Sequence, residues 1–302
     1  MNPDRYRGCL VGLAVGDAVG TAVEFMPRGT FPPLTDMIGG GYFKLEAGQW
    51  TDDTSMALCL AESLIRNQGF DAADQMRRYV NWYRYGYLSS TGECFDIGMT
   101  VQKALMDFLQ SENPFSGSEN PNSAGNGSLM HLAPVVLYFS AQPEQAIHFA
   151  RESSRTTHGA PECLDACALF TIYLLRALAG KSKDEILDAV TDVNFSSPKI
   201  IEIAAGRYKT KSIEMIKGSG YIVESLEAAL WCFYHTQSFE AAILQAANLG
   251  DDADTTAAIC GQLAGAFYSE RQIPETWLTK LYDCRAIQAM ADSLLREGGN
   301  SQ

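Results

Sequence analysis

Histidine is scarce in this chain, with four among 302 residues, and no His/Cys constellation with metal-ligand spacing occurs. That argues against a zinc site. The eight cysteines lie singly in apolar segments. Cys163 and Cys167 share a helix face but lack a paired CxxC or a His-rich partner, so all eight read as reduced and packed. No stretch approaches the roughly 18 apolar residues of a spanning helix, and the N-terminal residues lack a charged-then-apolar signal pattern. The expectation is a cytoplasmic protein with no membrane partner. Cations are also few, 23 Lys and Arg against 36 Asp and Glu, for a formal charge of −13. That balance argues against a nucleic-acid backbone or an anionic membrane as the main partner, because both need clustered Lys and Arg. No segment sustains the period-two alternation of a strand.

What is present is a set of helical patterns and two acidic clusters. Helices are expected over 6–25, 52–66, 71–86, 96–111, 143–152, 161–179, 183–192, 198–206, 238–247, 252–269 and 275–297, with a further helix running to about 234 after a glycine turn at 218–221. The fold class is all-α, one compact multi-helix domain spanning 1–302 with a polar tail from about 297. Residues 26–49, rich in Pro and Gly, read as a loop that could move over the site. Gly8, Gly12, Gly16 and Gly20 recur every fourth residue, as do Ala253, Ala257, Gly261 and Gly265. Glycine inside a helix costs about 1 kcal/mol relative to alanine. Close backbone approach is the return, so these two helices are expected to be neighbours.

The stretch Asn248-Leu-Gly-Asp-Asp-Ala-Asp-Thr-Thr256 sets Asp251, Asp252 and Asp254 at a helix entrance with no cation near in sequence. Trp50-Thr-Asp-Asp-Thr54 repeats that chemistry. One cap oxygen suffices at a helix start, so the surplus carboxylates repel one another unless neutralised. Thr51, Asp52, Asp53, Asp252, Asp254 and Thr255 offer oxygen donors suited to Mg²⁺ or Mn²⁺, alone or as a pair. Metal-assisted hydrolysis is the default reaction class. Glu24 reads as a solvated helix end or a carboxylate beside the metals, and Asp96 equally well as an N-cap or a site carboxylate. The Gly125-Asn126-Gly127-Ser128 loop feeds a helix and resembles a phosphate-binding arrangement, though a flexible surface loop fits it too. His158 precedes a helix, where a capping, ligand-binding or plain surface role is open, and Tyr221 follows a glycine turn.

Together, Gly16-Asp-Ala-Val-Gly-Thr-Ala-Val-Glu24, Trp50-Thr-Asp-Asp-Thr54, Cys94-Phe-Asp-Ile-Gly98, Gly125-Asn-Gly-Ser-Leu-Met130, Ser154-Arg-Thr-Thr-His158, Gly218-Ser-Gly-Tyr221 and Gly250-Asp-Asp-Ala-Asp-Thr-Thr256 resemble the ADP-ribosylglycohydrolase family, nearest its dinitrogenase reductase-activating branch. The resemblance covers residues 8 to 268. It implies a two-metal cleft that cleaves ADP-ribose from a modified target, an ADP-ribosylated protein, with ADP-ribose as product. By that pattern Thr51, Asp52 and Asp53 hold the metals from one side and Asp252, Asp254 and Thr255 from the other. Glu24 matches a mobile acidic residue beside them, and Asp96 a carboxylate over the distal ribose. Gly125 to Ser128 would cradle the pyrophosphate near His158, and Tyr221 would stack on or border the nucleotide. Arginine is the expected site of modification. ADP-ribosyl-serine, O-acetyl-ADP-ribose, a modified nucleobase, or ADP-ribose binding without turnover are the alternatives. His131 departs from the pattern, standing where close relatives are expected to carry arginine.

Overall fold

The structure, a computed structural model, describes residues 2–300. Among the described residues fifteen α-helices follow one another: α1 (Pro3–Gly20), α2 (Asp52–Asn67), α3 (Ala72–Tyr85), α4 (Met99–Ser111) and α5 (Gly127–Met130). Then come α6 (Ala133–Tyr138), α7 (Pro143–Arg155), α8 (Pro161–Leu178), α9 (Lys183–Ile186) and α10 (Pro198–Ala204). The last five are α11 (Ile222–His235), α12 (Phe239–Ala247), α13 (Ala253–Tyr268), α14 (Glu275–Lys280) and α15 (Cys284–Asn300). Among the described residues there are isolated β-bridges but no strand. The all-α expectation is borne out, and no helix among the described residues is long and apolar enough to cross a membrane.

The centre of the molecule is the antiparallel pair α1 and α13, and their small-residue stripes face each other as expected. A methyl group at Gly16 would lie 2.1 Å from the Ala257 carbonyl oxygen, and one at Gly261 would lie 2.0 Å from that of Gly12. No side chain fits between these backbones. The same register sets Gly20 against Ala253, so the end of α1 meets the start of α13. That meeting positions the site. Around it the apolar faces of α2, α8, α11 and α12 contribute Met56, Leu60, Phe170, Leu226 and Phe239 to one continuous core.

Several helix boundaries differ from the sequence expectation, and tertiary bonds account for most of them. The first helix ends at Gly20 and a 3-10 turn covers Thr21–Val23, which leaves Glu24 extended. Helix α4 starts only at Met99, because Asp96 takes a left-handed φ of 60° and Gly98 is extended. Segment 183–192 forms just one turn, opened by a capping box between Ser182 and Glu185. Beyond it Arg176 binds the carbonyls of Ile186 and Asp188, and Lys209 takes that of Leu187, so those acceptors no longer serve a helix. The apolar run after Ser128 divides at His131 and Leu132, with Pro134 opening α6. The closing helix breaks at 281–283, where Tyr282 N–H bonds the Gly48 carbonyl at 2.9 Å and Asp283 adopts φ 50°. After that break α15 continues to Asn300, past the expected start of the tail at 297, whereas residues 301–302 lie outside the described residues.

Segment 26–49 is irregular, as expected, but it is anchored. Asn248 holds both the N–H and the carbonyl of Leu34, and Met37 and Leu45 are buried beneath it.

Candidate active site

The entrances of α2 and α13 converge. Thr51 Oγ1 donates to Asp254 Oδ2 at 3.3 Å, and Thr255 Oγ1 to Asp53 Oδ1 at 3.2 Å, across more than 200 residues of chain. Oxygens of Asp17, Asp53 and Asp254 lie within 4.8 Å of one another, as do those of Glu24, Asp96 and Asp254. Glu24 is 4% exposed, so it is not a solvated helix end. Asp96 stands beside it, and Gly98 takes the N-cap position of α4, so Asp96 is not that helix's cap.

Asp17 is the residue that sequence reading did not assign. Fully buried on α1, its carboxylate accepts from Thr51 N–H (2.9 Å) and Oγ1 (3.0 Å), and from Thr54 N–H (3.1 Å) and Oγ1 (2.6 Å). It therefore caps α2 from another helix, supplying the acceptors that the first-turn N–H groups lack. The available signal was that Thr51 makes no side-chain cap of its own helix, a fact of geometry that spacing does not carry.

Burial and mutual repulsion raise every carboxyl group here. Asp17 is pushed up to about 6 by burial, its hydrogen bonds to Thr54 and Thr51 opposing the shift. Glu24 reaches about 10 through burial and then the charge of Asp96, and Asp96 about 8 through burial and then Asp17. Asp52, Asp53 and Asp254 rise well above the usual carboxylate range, and Asp252 rises too, burial being the largest cause in each. Among the described residues no cationic side chain is one of the largest influences on these groups. Glu24 Oε2 and Asp53 Oδ2 are buried without a hydrogen-bond partner. An all-oxygen donor set with orphaned carboxylate oxygens and no counter-charge fits a hard divalent cation.

The cleft above these acids has a volume of about 450 Å³, with Glu24, Asp52, Asp96, Asp252 and Thr255 on its floor and walls. Its far wall is the loop Gly125–Gly127 with His158. Asn126 ties that loop to the acids, donating from Nδ2 to Asp252 Oδ2 at 2.7 Å. The His158 ring packs beneath the loop: a methyl group on Gly127 would lie 2.7 Å from its Cε1. Its Nδ1 pairs with Thr157 Oγ1 at 3.0 Å, and burial lowers its pKa to about 4, so the ring is neutral. His158 is thus no surface histidine.

Three expectations need correction or narrowing. The N–H groups of Gly125 and Asn126 are already spent on the carbonyls of Ser123 and Gly220, which leaves the first turn of α5 as the donor end of the loop. Ser128 is buried, receives Cys167 Sγ–H at 3.4 Å, and is not among the residues lining the cleft. Tyr221 borders an adjoining groove of about 550 Å³ instead of the main cleft; its hydroxyl donates to Glu162 and accepts from Lys199 Nζ at 2.6 Å. His131 is 1% exposed, lies behind the cleft wall against Tyr79, and is kept neutral by burial.

Two acidic helix entrances thus meet at a cleft on an all-helical scaffold. The chain belongs to the ADP-ribosylglycohydrolase family, whose model matches residues 2–302. It is 44% identical over 291 residues to the ADP-ribosylarginine hydrolase Tri1 of Pseudomonas putida (strain GB-1), covering 96% of this chain and 78% of that one. It is 30% identical over 305 residues to the ADP-ribosyl-[dinitrogen reductase] glycohydrolase of Rhodospirillum rubrum, with 98% and 97% covered. A solved structure titled ADP-ribosylglycohydrolase-related protein complex superposes with a TM-score of 0.87 at 41% identity, covering 98% of each chain.

Proposed function

We propose that this chain hydrolyses the N-glycosidic bond between ADP-ribose and an arginine side chain of a modified protein, using two divalent cations, Mg²⁺ or Mn²⁺. The observation that carries the reading is the convergence of Thr51, Asp53, Asp254 and Thr255 from two distant helix entrances, with orphaned carboxylate oxygens between them. The arginine preference draws support from the 44% and 42% identity to ADP-ribosylarginine hydrolases of Pseudomonas putida and Serratia proteamaculans.

In this reading Thr51, Asp52, Asp53, Asp252, Asp254 and Thr255 hold the cations. When bound, they neutralise the crowded carboxylates and supply Lewis-acid polarisation of hydroxyls and water. The chain's own residues do the rest. Asn126 fixes Asp252, and Asp17 fixes Thr51, so the donors are pre-set before substrate arrives. The 125–127 loop and His158 receive the pyrophosphate from one side of the cleft, and Tyr221 borders the groove next to it. Glu24, Asp53 and Asp96 surround the distal ribose. As the bond from the anomeric carbon to the guanidine nitrogen breaks, positive charge develops on the sugar, and these carboxylates stabilise it. Water adds its oxygen to the anomeric carbon. One of its protons passes to a cleft carboxylate and a proton is returned to the departing guanidine, which leaves free ADP-ribose and unmodified arginine.

The test is release of ADP-ribose from ADP-ribosyl-arginine, with Mg²⁺ or Mn²⁺ and with chelator. Metal-dependent release supports the reading. Turnover of ADP-ribosyl-serine or O-acetyl-ADP-ribose in place of the arginine conjugate would replace the substrate, and binding of ADP-ribose with no turnover of any conjugate would remove the enzymatic reading.

A further inference from the structure

One wall of the cleft continues outward into a contiguous aromatic surface that the chemistry leaves unused. Phe25 lines the cleft next to Glu24, yet it is 58% exposed. Its ring meets Tyr42 edge-on at 5.4 Å between centroids, Tyr42 meets Phe43 at 5.1 Å, and Phe43 meets Phe95 at 5.2 Å. Tyr42, between Phe25 and Phe43, is 72% exposed. Met99, on another part of the cleft wall, is 88% exposed. Single exposed apolar side chains are ordinary, but a contiguous patch at the mouth of a site marks an interaction surface.

The backbone holds this patch in place at some cost. Phe25 has a φ of 63°, left-handed and unfavourable for a bulky residue. Two hydrogen bonds keep it there, Phe25 N–H to Asp251 carbonyl (2.7 Å) and Asp251 N–H to Met26 carbonyl (2.8 Å). Tyr42 sits in a tight turn closed by reciprocal bonds between Gly40 and Leu45, at 2.7 and 2.9 Å. That turn packs so closely on α1's end that a methyl group at Gly41 would lie 2.1 Å from the Thr21 carbonyl oxygen. The rings are therefore presented on fixed backbone, which lowers the ordering cost of binding.

We propose that Phe25, Tyr42 and Phe43 form a docking rim for the polypeptide that carries the modified arginine, and that it selects apolar side chains flanking that arginine. This rests on the function proposed above. A sugar bound over the acids puts its bond to arginine inside the cleft, so the attached polypeptide must leave through the mouth. Phe25 belongs to both the cleft wall and the rim, which makes the two surfaces continuous. Nothing in the reaction itself uses Tyr42, so its effect is separable from catalysis.

The experiment compares three substrates: free ADP-ribosyl-arginine, a peptide with ADP-ribosyl-arginine flanked by glycines, and the same peptide flanked by leucines. The unaltered protein is expected to prefer the leucine-flanked peptide by about fivefold in kcat/KM, expressed in KM. Tyr42→Ala should erase that preference and leave the free conjugate turned over at the original rate, and Tyr42→Phe should restore it. Equal use of both peptides by the unaltered protein, or a preference that survives Tyr42→Ala, would overturn the rim. So would an equal loss on all three substrates, which would mean that Tyr42 supports the cleft instead. An unaltered protein inactive on all three with Mg²⁺ or Mn²⁺ would overturn the functional reading and the rim with it.

Discussion

The carboxylate of Asp17 on the first helix binds both the N–H and the hydroxyl of Thr51, at 2.9 and 3.0 Å, and so fixes the entrance of α2 from outside that helix. Thr51 in turn donates to Asp254 from the entrance of α13. A chain of hydrogen bonds thus joins three helices at the point where the acids gather, and it gives Asp17 a structural consequence that can be measured.

Asp17→Ala leaves three donors, the N–H groups of Thr51 and Thr54 and the Thr54 hydroxyl, without their acceptor in a dry interior, while the Thr51 hydroxyl keeps Asp254. A loss of stability on the order of 3 kcal/mol is expected, read by denaturant unfolding, together with weaker Mn²⁺ binding by calorimetry. Asp17→Asn keeps one acceptor oxygen and should lose less. Equal behaviour of the alanine variant and the unaltered protein would show that α2 finds its cap elsewhere.

Asp254→Asn removes charge from the point where both acid groupings meet. Affinity for Mn²⁺ should fall by more than about tenfold, with loss of ADP-ribose release. Thr54→Ser, on α2 and keeping the hydroxyl bonded to Asp17, should bind the cation nearly as before.

The metal-free protein should become less stable as pH rises. Its cleft carboxyls have folded-state pKa values above the ordinary 3.8 to 4.5, with Asp17 at about 6, Asp96 at about 8 and Glu24 at about 10. The folded chain therefore holds more protons than the unfolded one across that window, and stability is lost as pH climbs from about 4 towards 8 and beyond. Mg²⁺ or Mn²⁺ should offset the loss, more strongly at the higher pH because binding competes with protons. Thermal melts at pH 5.5 and 8, with chelator and with cation, read this. A chelated protein that gains stability with pH would contradict the burial of these acids.

Gly261→Ala should cost about 3 kcal/mol or more, since the new methyl group would sit 2.0 Å from the Gly12 carbonyl oxygen with backbone on both sides. Helix propensity alone would favour the alanine, so the sign of the change in a chemical melt decides whether the close approach of α1 and α13 governs the core. A stabilised variant would mean that the two helices can separate without penalty.

The sequence by itself determined the helical class, the pairing of α1 with α13, and the two acidic entrances, because each is written in local spacing. A glycine every fourth residue has no other economical use in a helix, and carboxylates in surplus of capping demand a counter-charge. Tertiary structure decided what local spacing does not encode. Asp17 became the cap of α2 because Thr51 lies 34 residues away yet adjacent in space. Glu24 came to the cleft by leaving the helix expected over 6–25, which ends at Gly20 and passes into a 3-10 turn. Ser128 turned inward to Cys167, and Tyr221 turned to Glu162 and Lys199, because partners from α8 and α10 reach them. Helices α4 and α9 shortened, and the closing helix divided, where left-handed residues or distant hydrogen-bond partners took over the backbone. Pattern specifies which segments are helical and which are chemically charged for a task; the orientation of each side chain is set by whichever donor or acceptor the folded chain brings within about 3 Å.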